Sequence, residues 1–165
     1  MDDQAAMAAA IEQAAKSLAE GGVPVGAALL ADGRILGVGH NRRVQQGSVI
    51  RHGETDCLEN VGRLHASVYR RSTMVTTLSP CDMCTGAILM YGIPRVVVGE
   101  NRTFLGEEAL LQLRGVQVEV VQDPRCIRLM EQFIAEYPGL WHELYHEPEQ
   151  AAPLTDLRDW LAAHR

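Results

Sequence analysis

The sequence predicts an α/β sandwich built around a mixed sheet. Strand-like apolar runs alternate with helix-like segments along the chain, and this alternation is typical of a sheet covered by helices. The pair Asp32-Gly33 lies between two apolar runs, which indicates a β-hairpin and makes part of the sheet antiparallel. The length of 165 residues suits one compact domain with a real core.

The elements follow from periodicity and from the residues that bound each run. Strand signals are short apolar or alternating runs, and helix signals are longer periodic runs with capping or stop residues. The predicted strands are 23–31, 34–39, 73–78, 95–99 and 116–121. The predicted helices are 4–20, one that begins near His52, 81–91, 107–114 and 124 to about 137, the last capped by Asp123. The segment from His40 to Arg51 has no clear period and is predicted to be a loop.

The C-terminal part of the chain has a weaker pattern. Residues 141–145 are predicted to be a short helix or turn, residues 147–153 a linker, and Thr155 the cap of a last amphipathic helix. The sequence shows no internal repeat. We therefore interpret residues 1–165 as one domain in which 146–165 form a linker and a C-terminal helix extension.

Composition excludes several classes of partner. The net charge is −6, and basic residues form no block larger than a pair such as Arg42-Arg43, so we expect no nucleic-acid partner. No apolar run is long enough to cross a membrane, and the acidic N-terminus predicts a cytoplasmic protein. Four cysteines in such a chain indicate metal ligands or free thiols rather than a disulfide framework.

Two of the cysteines lie where a predicted strand turns into a predicted helix. Cys81 and Cys84 are three residues apart on the first helical turn, so both sulfurs can reach one point. Pro80 suits the start of a helix. The free N–H groups of that turn favour a thiolate, which is the form that binds metal. The pair is therefore a candidate half of a metal site.

A histidine and a glutamate at another predicted helix start extend this pair. His52, Cys81 and Cys84 would give zinc one nitrogen and two sulfurs and leave the fourth tetrahedral position to water, which is the catalytic arrangement. Glu54 can serve the same site only if the metal lies over the helix N-terminus, where its carboxylate could take a proton from that water. The order His-x-Glu followed by Pro-Cys-x-x-Cys matches the signature of zinc deaminases.

Two other interpretations of the cysteine pair remain open at this stage. One is a redox pair, although no thioredoxin-like aromatic residue precedes Cys81. The other is a structural zinc site with a fourth protein ligand. Cys57 is the nearest candidate for that ligand, but a helix would turn it away from the metal. We expect Cys57 and Cys126 to be small buried residues instead.

Longer stretches around these residues resemble the fungal-type cytosine deaminases of the cytidine-deaminase-like superfamily. The similar stretches are 52–54, 58–60, 76–88, 90–95 and 97–101. The likeness extends from about Gly21 to Trp141, which is most of the chain, and it is nearly residue for residue around the cysteines.

The resemblance implies a three-layer α/β/α fold with a central mixed sheet of about five strands. It also implies a homodimer with one zinc ion (Zn2+) per subunit, held by His52, Cys81 and Cys84, with Glu54 as the catalytic acid and base. The implied reaction is the hydrolytic removal of an exocyclic amine from a free base, with cytosine, converted to uracil and ammonia, as the first candidate substrate.

The resemblance also implies substrate contacts. Asn41 corresponds to the asparagine that hydrogen-bonds the pyrimidine ring, Phe104 to the aromatic residue that stacks on it, and Trp141 to the one that closes the pocket. The Gly53 N–H and the Ser79 carbonyl correspond to backbone contacts. From the residues alone, Asn41 could instead cap a turn, and either aromatic residue could belong to the core.

Two positions depart from the fungal pattern. Leu144 stands where the fungal enzymes have an aspartate that meets the amino side of the substrate, so either Glu143 replaces that acid or the pocket prefers another ring. Asp56 follows Glu54 where the fungal enzymes have no acid. We expect Asp56 to be a solvated surface residue, with a new acceptor near the pocket as the alternative.

Three rival functions follow from what the residues leave open. The closest is the same chemistry on another small aminated ring, such as isocytosine, creatinine, guanine or an aminotriazine. The second is deamination of a nucleoside or of RNA, which the acidic charge balance disfavours. The third is a non-catalytic module stabilised by zinc, against which the open fourth ligand position and Glu54 argue.

Overall fold

A five-stranded mixed sheet forms the centre of the molecule. The structure, a computed structural model, describes residues 3–144. The strands are β1 (Gly26–Ala31), β2 (Arg34–His40), β3 (Ser72–Leu78), β4 (Arg95–Glu100) and β5 (Gln117–Val120). Their order across the sheet is β2-β1-β3-β4-β5. Strand β1 is antiparallel to β2 and β3, whereas β3, β4 and β5 are parallel.

Helices cover both faces of this sheet. The helices within the described residues are α1 (Asp3–Ala19), α2 (Arg43–Gln46), α3 (Gly53–Val61), α4 (Ala66–Tyr69), α5 (Asp82–Tyr91), α6 (Glu108–Leu113), α7 (Pro124–Glu136) and α8 (Pro138–Leu144). Residues of α3, α5 and α6 share one buried cluster with the sheet, and residues of α1 and α7 share the other. The predicted three-layer α/β/α fold is therefore confirmed.

Alternating side chains of the central strands supply the two buried clusters. Ala27 and Leu29 of β1 face the layer of α3 and α5, while Ala28 and Leu30 face the layer of α1 and α7. This alternation follows from the two-residue period of a strand. Strands β3 and β4 are buried along almost their whole length, as expected of strands covered on both faces.

Local signals account for the hairpin and for two helix ends. Asp32 and Gly33 both have positive φ, 50° and 69°, as a two-residue turn of type I′ requires. Gly92 ends α5 in the left-handed conformation, with its N–H directed at the carbonyl of Ile88. Asp123 caps α7 by accepting a hydrogen bond from the Arg125 N–H at 2.8 Å.

The structure differs from the predictions mainly in short elements. The segment predicted as a loop contains α2, a single helical turn that ends at Gly47 in the left-handed conformation. Strand β1 begins at Gly26 rather than residue 23, and α8 begins at Pro138. The predicted linker and last helix, 146–165, lie outside the described residues. Within residues 3–144, no helix is both long and apolar enough to span a bilayer.

Candidate active site

Two helix N-termini meet at the carboxyl end of β3. His52 is the residue that precedes α3, and Cys81 is the residue that precedes α5; both have extended backbone angles. Thr55 accepts a hydrogen bond from the His52 N–H at 2.9 Å, which holds the chain as it enters α3. Gly53 is buried because α3 begins against the backbone of Val25, where a Cβ would lie 3.0 Å from the carbonyl oxygen.

Three side chains at this junction form a cluster suited to a metal ion. The ligand atoms of His52, Cys81 and Cys84 all lie within 4.8 Å of one another. His52 Nδ1 is 3.4 Å from the sulfur of Cys81 and 3.8 Å from the sulfur of Cys84. In a tetrahedral zinc site with ordinary bond lengths, neighbouring ligand atoms are about 3.3–3.8 Å apart. Donor chemistry and spacing therefore both fit zinc.

Hydrogen bonds within the cluster shift the pKa values of its members and favour a thiolate at Cys81. A hydrogen bond from Cys84 is the main reason that the pKa of Cys81 falls to about 4, while that shared proton raises the pKa of Cys84 well above its usual range. Burial alone would lower the pKa of His52, but the hydrogen bond and the charge of Cys81 outweigh it, so the pKa rises. The site is thus organised around negative charge at sulfur.

Glu54 lies beside the same sulfurs and is nearly inaccessible to solvent. Its carboxylate accepts hydrogen bonds from the Thr76 hydroxyl at 3.0 Å and from the Cys84 thiol at 3.3 Å. Burial is the main cause that raises its pKa. Because His52 precedes the helix instead of lying within it, both His52 and Glu54 reach Cys84, although they are only two residues apart.

Asn41 shares a small cavity with this cluster. The cavity is lined by Val23, Val25, Asn41, His52, Glu54, Leu78, Ser79 and Cys81. The Oδ1 atom of Asn41 accepts the Arg43 N–H at 3.0 Å, and its backbone N–H donates to the Val25 carbonyl at 2.9 Å. These bonds fix the amide and leave its NH2 group as a donor for the cavity.

Ser79 connects the cavity to the loop after β4. Its N–H donates to the Glu100 carbonyl at 2.9 Å. Its hydroxyl donates to Glu108 at 2.8 Å and accepts the Gly106 N–H at 2.9 Å. Both side-chain bonds therefore tie the loop that carries Phe104 to the end of β3.

Two supporting acids that flank this loop, Glu100 of β4 and Glu108 of α6, were missed by the sequence analysis. Glu100 is fully buried and accepts the N–H groups of Arg102 and Thr103 at 2.7 and 2.9 Å. Glu108 receives the Ser79 hydroxyl and the Asn101 side chain. The signal for Glu100 was present in the sequence, since it directly follows the apolar run 96–99, and an acid at the end of a buried strand needs buried donors.

The two aromatic residues predicted to enclose a substrate lie together. The rings of Phe104 and Trp141 are 6.4 Å apart and nearly perpendicular. Both pack against a buried cluster that includes Val23, Val25 and Leu78, three residues that also line the cavity. The loop that carries Phe104 and helix α8 therefore pack against each other beside the cavity.

The structure does not place the two acids of unassigned role in the cavity. Glu143 is exposed on α8 and is not among the residues that line the cavity. The expectation of a solvated Asp56 was wrong, because its side chain is completely buried. Its alternative role as a substrate acceptor is also unsupported, since both carboxylate oxygens already accept bonds from the protein.

A fourth protein ligand from Cys57 is not supported either. Its sulfur contacts the Gly37 carbonyl at 3.4 Å, on the sheet side of α3. Burial raises its pKa to about 12, so the thiol stays protonated. Cys126 is buried in the opposite layer, as expected.

A three-ligand metal cluster with a buried carboxylate beside it, on an α/β/α sandwich, defines a zinc-dependent deaminase, a hydrolase that acts on C–N bonds. The sequence matches the cytidine and deoxycytidylate deaminase zinc-binding region over residues 1–100, and the chain belongs to that family.

The relatives of this chain include a cytosine deaminase and tRNA-specific adenosine deaminases. The chain is 52% identical over 143 residues to the cytosine deaminase of Candida albicans, covering 86% of this chain and 95% of the relative. It is 36% identical over 143 residues to a tRNA-specific adenosine deaminase of Streptococcus pyogenes, covering 79% and 88%. The resemblance to cytosine deaminases is thus confirmed.

A solved structure supports the fold independently of these sequence matches. The guanine deaminase of Nitrosomonas europaea aligns with a TM-score of 0.62 over 79% of this chain and 84% of its own, at 23% identity. At that level of identity, the likeness concerns the fold alone.

Proposed function

We propose that this protein removes the exocyclic amine of a free nucleobase by hydrolysis, with cytosine converted to uracil and ammonia. The observation that carries the proposal is the buried Glu54 carboxylate, which shares one small cavity with His52, Cys81 and Asn41. The 52% identity to a cytosine deaminase favours cytosine among aminated rings.

His52, Cys81 and Cys84 would hold the zinc ion, one per subunit. When bound, zinc supplies Lewis acidity and lowers the pKa of water, so that a nucleophile is available at neutral pH. Because three protein ligands leave one tetrahedral position open, the arrangement is that of a catalytic site. Thr76 holds the Glu54 carboxylate beside the cluster, 3.3 Å from the sulfur of Cys84.

Glu54 would carry the protons of the reaction. It takes a proton from the nucleophilic water and delivers it to the ring nitrogen beside the amino carbon. It then takes the proton of the hydroxyl group added at that carbon and passes it to the departing amine, so that the carbonyl forms as ammonia leaves. Burial suits this role, because the raised pKa brings the carboxyl group closer to the neutral pH at which it must both accept and donate.

The remaining contacts would orient the ring. The NH2 group of Asn41 can donate to a ring carbonyl, while the Gly53 N–H and the Ser79 carbonyl are the proposed backbone contacts. Phe104 would stack on the ring, and Trp141 would close the pocket. Their packing against the cavity walls supports these roles. Glu143 has no comparable support from the structure.

Other substrates remain as outcomes of the test. Isocytosine, creatinine, guanine and aminotriazines carry the same type of amine, and the similarity to tRNA-specific adenosine deaminases adds adenosine in RNA. The net charge of −6 favours a free base over RNA.

The test is ammonia release from a panel of free bases, nucleosides and RNA by the zinc-loaded protein. Glu54→Gln should retain about one zinc per chain and lose turnover by at least about 100-fold, because only the proton carrier is removed. Glu131→Gln, on the exposed face of α7, is the matched control. A zinc-loaded Glu54→Gln enzyme with wild-type turnover would contradict the role of Glu54, and inertness on every base would contradict the proposed function.

We also propose a homodimer and a cytoplasmic location. The outer faces of α3 and α5 border a groove of about 680 Å³ whose apolar walls include Ile50, Leu58, Met90 and Tyr91. Met90 is 80% and Ile50 62% exposed in a single chain, and such apolar exposure favours a second copy at this face. A reducing cytoplasm would keep the two ligand cysteines free to bind metal.

A further inference from the structure

Asp56 is a completely buried carboxylate with four donors around it. One oxygen accepts the His40 N–H at 3.0 Å and the Asn60 side chain at 3.4 Å. The other lies 2.9 Å from Nε of Arg42 and 3.3 Å from Nε of Arg51. Asp56 thus joins the end of β2 to two guanidinium groups that are only a quarter to a third exposed.

These contacts close the segment 41–52 at both ends. Arg42 and Arg51 lie next to its two ends and are also paired through the backbone, since the Arg42 N–H donates to the Arg51 carbonyl at 2.9 Å. Each arginine adjoins one functional residue: Asn41 precedes Arg42, and His52 follows Arg51. The carboxylate therefore lies where the proposed substrate anchor and the proposed zinc ligand are held relative to each other.

The charge of Asp56 makes these partners necessary. A buried carboxylate is costly unless it is paired and hydrogen-bonded. The two arginines and the N–H group of β2 pair with the carboxylate. The segment 41–52 therefore cannot move away from α3 without leaving the charge of Asp56 unpaired or exposing it to solvent. The restraint extends to Asn41, because its side-chain amide accepts a hydrogen bond from the N–H of Arg43, the residue that follows Arg42.

We propose that Asp56 is a positioning residue that acts through Arg42 and Arg51 to hold Asn41 and His52 at their working separation. It touches no reacting group itself. This inference rests on the proposed function, because it assigns Asp56 to the geometry of that same site.

The test uses the zinc-loaded protein and weakens the contact between Asp56 and Arg42 by changing the arginine, which is the partly exposed member of the pair. Arg42→Gln should raise the KM for cytosine about tenfold and change kcat less, because the ring anchor shifts while Glu54 stays in place. Amide hydrogen exchange within residues 40–52 should become faster and stay unchanged elsewhere. The control is Arg71→Gln, which breaks a comparable arginine–aspartate pair with Asp32 at 2.9 Å on the surface.

A double substitution separates positioning from general destabilisation. In an Asn41→Ala background, Arg42→Gln should change the KM by less than about twofold, because its effect passes through the missing amide. Asp56→Asn keeps the shape and removes the charge, and it should reproduce the exchange pattern of Arg42→Gln.

Three results would overturn the inference: an Arg42→Gln protein that matches Arg71→Gln in KM, an Arg42→Gln effect of full size without Asn41, or unchanged exchange within residues 40–52. Failure of the proposed function is distinguishable from these outcomes. In that case the wild-type protein would release no ammonia from any base, whereas hydrogen exchange would still report whether Asp56 holds the segment.

Discussion

Asn41 is the side chain whose role in binding can be tested most directly. One side of its amide is held by the Arg43 N–H, so the other side can be directed at a ligand without further ordering. Asn41→Ala should raise the KM for the substrate about 10- to 100-fold, since a buried hydrogen bond to the ring is lost, and zinc content should stay at one per chain. Steady-state kinetics with metal analysis measures both.

The matched control for this substitution is Gln132→Ala, which removes an exposed amide on α7 that donates to Glu136 at 3.1 Å. A KM for Asn41→Ala within about twofold of the control would contradict the anchor role. Loss of zinc together with activity would instead show that Asn41 supports the metal cluster.

The packing of α3 on β2 depends on a glycine. A Cβ on Gly39 would lie 2.2 Å from the backbone nitrogen of Cys57, and backbone atoms of a helix cannot move aside locally. Gly39→Ala should therefore lower the free energy of unfolding by about 1–3 kcal/mol or more and lower activity, because α3 carries Glu54. Urea unfolding followed by circular dichroism measures the first effect.

Gly86→Ala is the control for that substitution. Its Cβ would meet nothing within 4 Å among residues 3–144, and Gly86 lies inside α5, where alanine is favoured over glycine by about 1 kcal/mol. Gly39→Ala should therefore lower the free energy of unfolding, whereas Gly86→Ala should raise it. Equal destabilisation by both would show that the close approach of β2 and α3 is not the cause.

The N-terminal cap of α7 should make stability depend on pH. The Arg125 guanidinium holds the pKa of Asp123 below its usual value of about 3.9. A carboxyl group with a lowered folded-state pKa stabilises the fold above its unfolded pKa and loses that contribution as the pH falls through the folded-state pKa. Asp123→Ala should cost about 1 kcal/mol at neutral pH and progressively less below about pH 4.

The same urea titration at several pH values measures this effect, with Glu131→Ala on the exposed face of α7 as the control. A loss for Asp123→Ala that is as large at pH 3 as at pH 7 would contradict the charged cap and leave only the packing of the side chain as its role.

For the assembled molecule, the apolar groove between α3 and α5 yields a prediction about mass in solution. Light scattering should give twice the chain mass of 18.1 kDa, and Met90→Glu should give a monomer, because a charge placed in an apolar contact is costly to desolvate. Leu113→Glu is the control, since Leu113 is 82% exposed on α6 outside the groove. A wild-type monomer would contradict the proposed dimer.

Sequence reasoning reached the sheet, the main helices and the metal cluster because their signals are local. The spacing of Cys81 and Cys84 places both sulfurs on one helix turn, and Asp32-Gly33 specifies its own turn. Helix α2 was missed because a single turn contains too few residues to show a period. The placement of His52 just before α3, rather than within it, also explains how Glu54 reaches the same cluster.

The surroundings of Asp56 and Ser79 could not be read from the sequence. The helical pattern of α3 predicts that Asp56, two residues after Glu54, is exposed to solvent. Asp56 is buried instead, because Arg42 and Arg51 fold back over α3. The bond between Ser79 and Glu108 joins residues 29 positions apart. Such partners are chosen by the approach of separate elements, which no local pattern encodes.

The sequence alone therefore determined the reactive groups of the site, which are two thiols, an imidazole and a carboxylate at the starts of two helices. Their spacing along the chain was enough to predict that they lie together. Tertiary structure decided what surrounds that chemistry, from the burial of Glu54 beside Cys84 to the closure of the segment 41–52. The reason is physical. Backbone geometry relates residues a few positions apart, whereas burial and long-range pairing depend on how the sheet brings distant helices together.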